Sequence, residues 1–325
     1  MKALLTAILL VATTFSAYAQ SDTEHSFATA QKGEGIYSLL RRNGYTPSAS
    51  LTRQFKSING DRLAHGTELK LNVTYQLPGR IRIERHPIFG AAYQNVEIKH
   101  TTLKNHVYYL VSGHGGPDPG AQGTRAGRTL SEDEYAYDTM LRTARALIEQ
   151  SATVYIIVQD NDGIRDIQFL PGDKDEKHLG NRPISLNQLT RLRDRVTIIN
   201  QLYDKHQKTA LLQRMIEIHI DSRISKSTQI DVNFYYASNA GYKLSNALQN
   251  TFRKQYARVQ PGRDYNGKIV DRAGLYMLRE TRPVSVLIEL ANIQHRGDQV
   301  RITRFENRQT LAEWIVRGLI ADAKS

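Results

Sequence analysis

Residues that could bind a metal ion or transfer a proton stand at the ends of apolar runs in this sequence. His114 follows VYYLVSG, His219 follows LQRMIEI, Glu289 ends VSVLIE, and the acidic run EDE occupies residues 132–134. Two histidines and a carboxylate are the set that commonly holds catalytic Zn²⁺ and leaves a coordination position open for water. A further carboxylate can accept a proton from that water and return it to a leaving group. These residue types therefore indicate metal-assisted hydrolysis.

Each of these side chains also has an ordinary structural explanation. His114 could be a loop histidine, and His219 could be a core histidine with satisfied hydrogen bonds. Glu289 ends an apolar run, where a buried carboxylate needs a partner, and that partner could be an arginine. Acidic residues also stabilise the start of a helix whatever else they do. The remaining histidines, including His178, are expected to be solvated.

Alternating strands and helices are predicted to position these residues. Continuous apolar runs predict strands, and apolar residues at helical spacing predict amphipathic helices. The predicted strands are 105–111, 153–158, 211–220 and 284–290, and the predicted helices are 130–150, 186–208, 238–256 and 308–323. This alternation indicates a layered α/β domain, in which sites gather at the carboxyl ends of the strands.

Composition restricts the class of protein. The chain has 325 residues, of which 40% are hydrophobic, a formal net charge of +12 and no cysteine. The absence of cysteine excludes disulfides, thiolate metal ligands and a cysteine nucleophile, so any metal must be bound by His, Asp or Glu. The positive charge favours polyanionic surroundings, or it serves solubility alone.

The first nineteen residues, MKALLTAILLVATTFSAYA (1–19), have the pattern of a secretory signal peptide. Lys2 precedes a short apolar run, and small residues precede the predicted cleavage site. The apolar run is too short for a permanent membrane anchor. We therefore expect a secreted or periplasmic protein of a bacterial cell envelope, with no stable membrane insertion after signal removal and no nucleic-acid partner.

Residues 26–74 are predicted to form a small unit of strand, helix, helix and strand. The unit opens with FATAQKGEGIYSLLRRNGY, continues with a helix over 49–56 and closes with the alternating run LAHGTELKLNV. It resembles a LysM domain, a module that binds N-acetylglucosamine-containing glycans such as peptidoglycan, although a spacer without ligand is the alternative. Residues 75–102 are predicted to be a linker, and 103–325 the main domain.

Four sequence blocks of the main domain share their order with a known family. They are GHGGPDPGA, EYAYDTMLRTARAL, EIHIDSR and VLIELANI. By these blocks the domain resembles the zinc-dependent N-acetylmuramoyl-L-alanine amidases, and the resemblance implies that His114, Glu134 and His219 hold the metal. It also implies that Glu289 is the catalytic carboxylate and that Asp118 orients the loop or His114.

The resemblance implies a three-layer α/β/α sandwich around a twisted mixed sheet, similar to zinc exopeptidases, with one Zn²⁺ per chain. The implied reaction is hydrolysis of the amide bond between the lactyl group of N-acetylmuramic acid and L-alanine of peptidoglycan stem peptides, with a protein activator as a candidate partner. A zinc carboxypeptidase acting on wall peptides and a non-catalytic peptidoglycan-binding regulator stay open as alternatives. The Gly115–Gly116 turn is expected to clear room for metal and substrate. The long segment 222–274 is expected either to cover the cleft and restrain activity or to be a surface elaboration.

Overall fold

The computed structural model describes residues 27–79, 82–222 and 226–325. The predicted signal peptide, residues 1–19, lies outside the described residues. The chain divides into two compact units, and the division falls between residues 81 and 82. Among the described residues, no helix is both long and apolar enough to cross a lipid bilayer.

The first unit has the predicted order of strand, helix, helix and strand. Its elements are β1 (Phe27–Thr29), α1 (Ile36–Arg42), α2 (Ala49–Asn59), a 3-10 turn (Gly60–Arg62) and β2 (Thr74–Gln76). The strands β1 and β2 pair antiparallel. Helix α2 starts after Ser48 because the Ser48 side chain accepts a hydrogen bond from the Leu51 amide at 3.1 Å.

The closing strand of this unit lies later than the sequence predicts. The alternation in LAHGTELKLNV indicates a strand over residues 63–73, but β2 follows that stretch. Tyr75 is fully buried and Leu77 is 3% exposed, whereas Leu71 is 56% exposed. Burial of Tyr75 and Leu77 therefore selects the strand, and the unit extends beyond the predicted boundary at residue 74.

The second unit alternates strands and helices. Its strands are β3 (Arg82–Arg85), β4 (Asn95–Ile98), β5 (His106–Ser112), β6 (Gln122–Arg125), β7 (Arg128–Ser131), β8 (Thr153–Ile156), β9 (Val158–Gln159), β10 (Lys177–His178), β11 (Arg182–Pro183), β12 (Leu212–Asp221), β13 (Asn233–Tyr236), β14 (Ile269–Asp271) and β15 (Val284–Asn292). Its helices are α3 (Glu132–Ile148), α4 (Gln188–His206), α5 (Asn239–Val259), α6 (Tyr276–Glu280), α7 (Arg296–Thr303) and α8 (Phe305–Ala323), with a 3-10 turn at Pro87–Phe89.

Six strands form the central mixed sheet in the order β14-β13-β15-β12-β5-β8. Neighbouring strands are parallel except β13 and β15, which are antiparallel. Side chains of β12 alternate between the two faces of the sheet, so Ile216 and Ile218 pack with α3, α5 and α8, and Met215 packs with α4 and α6. This arrangement confirms the predicted α/β architecture, a mixed sheet flanked by helices on both faces.

Residues 82–98 form a hairpin and not the predicted linker. The strands β3 and β4 pair antiparallel, and Phe89 and Val96 are fully buried in the core of the second unit. Because these apolar side chains leave water with the rest of that core, the second unit begins at Arg82, earlier than the predicted boundary at residue 103.

The long segment 222–274 is largely part of the sheet and its core. It contributes β13, α5 and β14, and its side chains Phe234, Leu244 and Phe252 are fully buried. The sequence predicts the helix of this segment but not its two short strands. Within the described part of the segment, these elements complete the sheet and its core, and Ser222 lines the cleft at the candidate site.

Candidate metal centre and active site

The predicted site residues meet at the carboxyl ends of β5, β12 and β15. His219 on β12 and Glu289 on β15 occupy paired positions in the parallel register, and the loop after β5 carries His114. The Gly113 amide donates a hydrogen bond to the Ile218 carbonyl at 2.8 Å, which ties this loop to the end of β12. Three separate parts of the chain thereby converge at one edge of the sheet, as the topology of α/β sheets favours.

His114, Glu132 and His219 form a compact group of candidate metal ligands. One nitrogen or oxygen atom of each lies within 4.8 Å of the corresponding atoms of the other two. The Nε2 atom of His114 lies 3.2 Å from Glu132 Oε2, and Nδ1 of His219 lies 2.8 Å from Glu132 Oε1. The two imidazole rings meet edge to face with their centroids 5.1 Å apart. Two imidazole nitrogens and one carboxylate oxygen are a donor set that fits Zn²⁺.

Glu132 is held in place by backbone hydrogen bonds. Its Oε2 accepts from the Ala121 amide at 2.8 Å, and its Oε1 accepts from the Ile220 amide at 2.9 Å. Burial alone would raise the pKa of the Glu132 carboxyl, but hydrogen bonds with His114 and His219 hold that pKa well below its usual range. An ionised carboxylate therefore stands between the two imidazoles.

Each histidine also contacts a second carboxylate through its outer nitrogen, the ring nitrogen that faces away from Glu132. Asp118 Oδ2 lies 3.0 Å from His114 Nδ1, and Glu217 Oε1 lies 3.3 Å from His219 Nε2. Burial works to lower the pKa of His114, but hydrogen bonds with Asp118 and Glu132 outweigh it and raise that pKa to about 9. Burial is likewise outweighed at His219, where contacts with Glu132 and Glu217 raise the pKa well above its usual value. Carboxylates in this outer position orient metal-binding imidazoles.

Asp118 lies where the sequence predicts it, beside His114, and it also contacts α4. Arg191 Nη2 donates to Asp118 Oδ2 at 2.5 Å, and the Gly120 amide donates to Oδ1 at 3.1 Å. The hydrogen bond with His114 is the largest cause that lowers the pKa of Asp118 to about 2. Asp118 is therefore an anion that joins the loop, the histidine and the helix.

His114 has a backbone conformation that residues other than glycine rarely adopt. Its φ is 62°, in the left-handed region. The His114 carbonyl accepts a hydrogen bond from Arg195 Nη2, and the Gly115 amide donates to the Asp118 carbonyl at 2.8 Å. Arg191 and Arg195 share one face of α4 because they are four residues apart. Helix α4 therefore holds the loop in the conformation that presents His114.

Gly113 and Gly120 provide the space that the candidate ligands occupy. A Cβ atom at Gly113 would lie 2.3 Å from Cε1 of His219, and a Cβ atom at Gly120 would lie 2.6 Å from Cδ2 of His114. Both separations are far below van der Waals contact, so a side chain at either position would displace a ring.

The Gly115–Gly116 turn has a different role from the predicted one. Both residues have positive φ, 97° and 65°. A Cβ atom at Gly115 would lie 3.3 Å from Val158 Cγ1, and one at Gly116 would lie 3.0 Å from Ile184 Cβ. The turn therefore packs against neighbouring apolar side chains, and the space beside the ligands comes from the flanking glycines.

Glu289 lines a cleft of about 350 Å³ together with the three candidate ligands. Its side chain is nearly buried, with 2% of the residue exposed. Helices α4 and α6 supply the other wall, including Gln188, Leu192, Tyr276 and Met277. A carboxylate at this position can act as a general base or acid toward a molecule bound in the cleft.

The structure corrects the ligand predicted at the start of α3, because Glu132 and not Glu134 lies between the histidines. Glu134 Oε2 accepts from Arg165 Nη2 at 2.7 Å, and its Oε1 accepts from the Asp173 amide at 3.1 Å. Two residues along an α-helix correspond to about 200° of rotation. Glu132 and Glu134 therefore point to opposite sides of α3.

Sequence reasoning did not single out Glu132 or Glu217. Glu132 belongs to an acidic helix start, which is ordinary on electrostatic grounds. Glu217 stands two residues before His219 on a strand, and alternate residues of a strand share one face. The EIH triplet could therefore have indicated a carboxylate beside His219.

Other histidines, among them His178 and His295, also differ from the predicted solvated state. His178 is fully buried, and both of its ring nitrogens lack a hydrogen-bond partner within the part of the chain that the structure describes. His295 caps α7, and its Nδ1 accepts from the Asp298 amide at 3.3 Å.

A mixed α/β sheet that carries two histidines, a central glutamate and a nearly buried glutamate at one edge defines a candidate hydrolase. A family model described as N-acetylmuramoyl-L-alanine amidase matches residues 109–321. The chain therefore belongs to the N-acetylmuramoyl-L-alanine amidase family and is an enzyme of that class.

Individual relatives are distant in sequence. The chain is 24% identical over 219 residues to the germination-specific N-acetylmuramoyl-L-alanine amidase of Bacillus subtilis strain 168, and the match covers 67% of this chain and 80% of the relative. Among solved structures, an N-acetylmuramoyl-L-alanine amidase of Clostridium difficile 630 matches at 21% identity and a TM-score of 0.49, covering 68% of this chain and 97% of the other. An amidase of Nostoc punctiforme matches at 19% identity and a TM-score of 0.46, covering 67% and 96%.

Proposed function

We propose that this chain is a secreted, zinc-dependent N-acetylmuramoyl-L-alanine amidase that cuts the bond between the lactyl group of N-acetylmuramic acid and L-alanine in peptidoglycan. The observation that carries the proposal is the convergence of His114, Glu132 and His219 in the cleft that Glu289 lines. Membership of the amidase family supports the choice of bond.

His114, Glu132 and His219 are the residues that would hold one Zn²⁺ per chain. Their donor atoms are close enough to share one ion, and they supply the nitrogen and oxygen ligands that zinc prefers. Asp118 would orient the His114 imidazole through its Nδ1 atom. When bound, the metal supplies Lewis acidity that polarises a carbonyl and activates water near neutral pH.

Glu289 is the residue that would move the proton. Its place beside His219 in the strand register brings its carboxylate to the edge where the candidate ligands meet. Glu289 would accept the proton of the attacking water and deliver it to the amine of the departing L-alanine. Because water is the attacking nucleophile, the proposed reaction forms no covalent intermediate with the protein.

The first unit is proposed to be a LysM-like module that binds the glycan strand of peptidoglycan. Its strand, helix, helix and strand order supports this assignment. The signal peptide at residues 1–19 stays a prediction, and the net charge of +12 suits the anionic polymers of a cell wall. A protein activator remains a candidate partner.

Digestion of purified peptidoglycan with product mass analysis tests the proposed function. Wild-type protein, chelator-treated protein and the Glu289→Ala variant are compared, with the exposed Glu280→Ala as the matched control. We expect stem peptides with free L-alanine amino termini from wild type and the control, and from the chelated sample after Zn²⁺ is restored. Cuts within the peptide would indicate a carboxypeptidase instead, and full activity after chelation would exclude the zinc-dependent mechanism.

A further inference from the structure

We propose that Glu217 is a positioning residue of the metal site: its carboxylate accepts a hydrogen bond from Nε2–H of His219 and so directs Nδ1 of that ring toward the metal. The inference rests on the proposed zinc-dependent function, and it assigns to β12 a second residue of the site. Asp118 makes the corresponding contact with Nδ1 of His114, but Asp118 belongs to a loop.

The two nitrogens of His219 face two different carboxylates. Nδ1 lies 2.8 Å from Oε1 of Glu132, on the side of the candidate ligands, and Nε2 lies 3.3 Å from Oε1 of Glu217. Because Glu217 and His219 are alternate residues of one strand, the rigid sheet holds both on the same face. This arrangement allows a single tautomer in the metal-bound state, with the proton on Nε2 and the lone pair on Nδ1.

The His219 ring has little freedom to escape this contact. It packs so closely on Gly113 that a Cβ atom there would lie 2.4 Å from Nδ1 and 2.6 Å from Nε2. Glu217 lines the same cleft but is only 3% exposed, so its carboxylate has little access to bulk water. The hydrogen bond from Nε2 is therefore the contact that decides which nitrogen faces the ligands.

A buried arginine interacts electrostatically with Glu217. Arg195 is 2% exposed, and burial lowers the pKa of its guanidinium to about 10, while attraction to Glu217 works in the opposite direction. The same guanidinium donates to the His114 carbonyl. Arg195 therefore links the carboxylate behind one histidine with the backbone of the other.

Glu217 differs in role from the candidate ligands. Among the described residues, the group that could share an ion at this edge consists of His114, Glu132 and His219. Glu217 stands behind His219, on the nitrogen that points away from Glu132. A carboxylate in this place makes the imidazole a stronger metal ligand and fixes its orientation. Loss of such a carboxylate commonly lowers metal affinity by about 10- to 100-fold.

The test is the Zn²⁺ affinity of the full chain, measured by competition with a chromophoric chelator. Glu217→Leu removes the acceptor, Glu217→Gln keeps an oxygen that can accept from Nε2–H, and the exposed Glu280→Leu is the matched control for loss of one carboxylate. We expect about 10- to 100-fold weaker binding for Glu217→Leu, a much smaller loss for Glu217→Gln and none for Glu280→Leu. Equal affinity of Glu217→Leu and wild type would overturn the inference.

A second measurement does not depend on the folding of any variant. In wild-type protein labelled with ¹⁵N-histidine and loaded with Zn²⁺, we expect the His219 nitrogen signals to show a proton on Nε2 and the metal on Nδ1. The reverse assignment would overturn the role of Glu217 even if every variant binds as expected. A wild-type chain that binds no Zn²⁺ would instead contradict the proposed function, so the two failures are distinguishable.

Discussion

His219 and Glu289 occupy paired positions on two neighbouring parallel strands, β12 and β15. This pairing places a candidate metal ligand and a nearly buried carboxylate side by side, and both residues belong to strands and not to loops. Both residues are positioned by sheet hydrogen bonds, so their relation is as rigid as the core itself. Metal binding and proton transfer can then be separated by substitution.

Glu289→Gln is expected to lower amidase activity by about 100- to 10,000-fold and leave Zn²⁺ affinity nearly unchanged. The amide keeps the size of the carboxylate but cannot accept the proton of water. Peptidoglycan digestion and chelator competition on the same preparation provide the two measurements. Loss of metal together with activity would place Glu289 among the ligands and contradict the proposed division of roles.

Glu132→Gln is expected to weaken Zn²⁺ binding by more than about 100-fold, because it removes the anionic ligand between the two imidazoles. Glu134→Gln is the matched control, two residues along the same helix, and should bind Zn²⁺ within about threefold of wild type because its side chain contacts Arg165. Chelator competition measures both. The opposite ranking would restore Glu134 as the ligand.

Gly113→Ala is expected to weaken Zn²⁺ binding and lower the free energy of unfolding by about 1–3 kcal/mol, because the new methyl group overlaps the His219 ring. Gly274→Ala is the control, since a Cβ atom there meets no heavy atom within 4 Å. Urea unfolding and chelator competition report the two effects. Wild-type behaviour of Gly113→Ala would mean that the ring and the loop can move apart.

Asp138→Asn is expected to lower the free energy of unfolding by about 3–5 kcal/mol. Asp138 Oδ2 lies 2.8 Å from Arg142 Nε and 2.6 Å from Arg308 Nε, and both Asp138 and Arg308 are fully buried. The variant leaves two buried guanidinium groups without their shared anion. Asp204→Asn, in the exposed pair with Arg282, should change stability by less than about 1 kcal/mol. Similar urea midpoints for the two variants would contradict this explanation.

His178 is expected to make the fold sensitive to acid. Burial and then the positive charges of Arg195, Arg182 and Arg191 lower the pKa of His178 to about 4. The unfolded chain takes up a proton near pH 6.5 and the folded chain only near pH 4, so stability falls as the pH drops through this interval, by up to about 3 kcal/mol.

Replacement of His178 by leucine should remove this part of the pH dependence. Urea unfolding at pH 7 and pH 4.5 measures it, and replacement of the exposed His100 controls for the loss of a histidine. An unchanged difference in stability between the two pH values in His178→Leu would show that other groups cause the acid sensitivity.

The sequence by itself determined the α/β architecture and indicated three residues of the candidate site. Apolar runs and helical spacing are local patterns, so they indicated the main strands and helices around the site. Sites in α/β domains gather at the carboxyl ends of strands, and this expectation selected His114, His219 and Glu289. The structure brings these three residues together in one cleft. The short strands β13 and β14 carry too few residues to show a period, and the sequence did not indicate them.

Only the tertiary structure shows which acidic residue lies between the two candidate histidine ligands and which neighbours contact them. Glu132 and Glu134 stand two residues apart in an acidic run. Only the orientation in which α3 packs on the sheet shows that Glu132 faces His219. The proximity of Glu217 to Arg195, and of Gly113 to the His219 ring, joins residues far apart along the chain. Such contacts depend on how helices pack on the sheet, and no local pattern in the sequence encodes that packing.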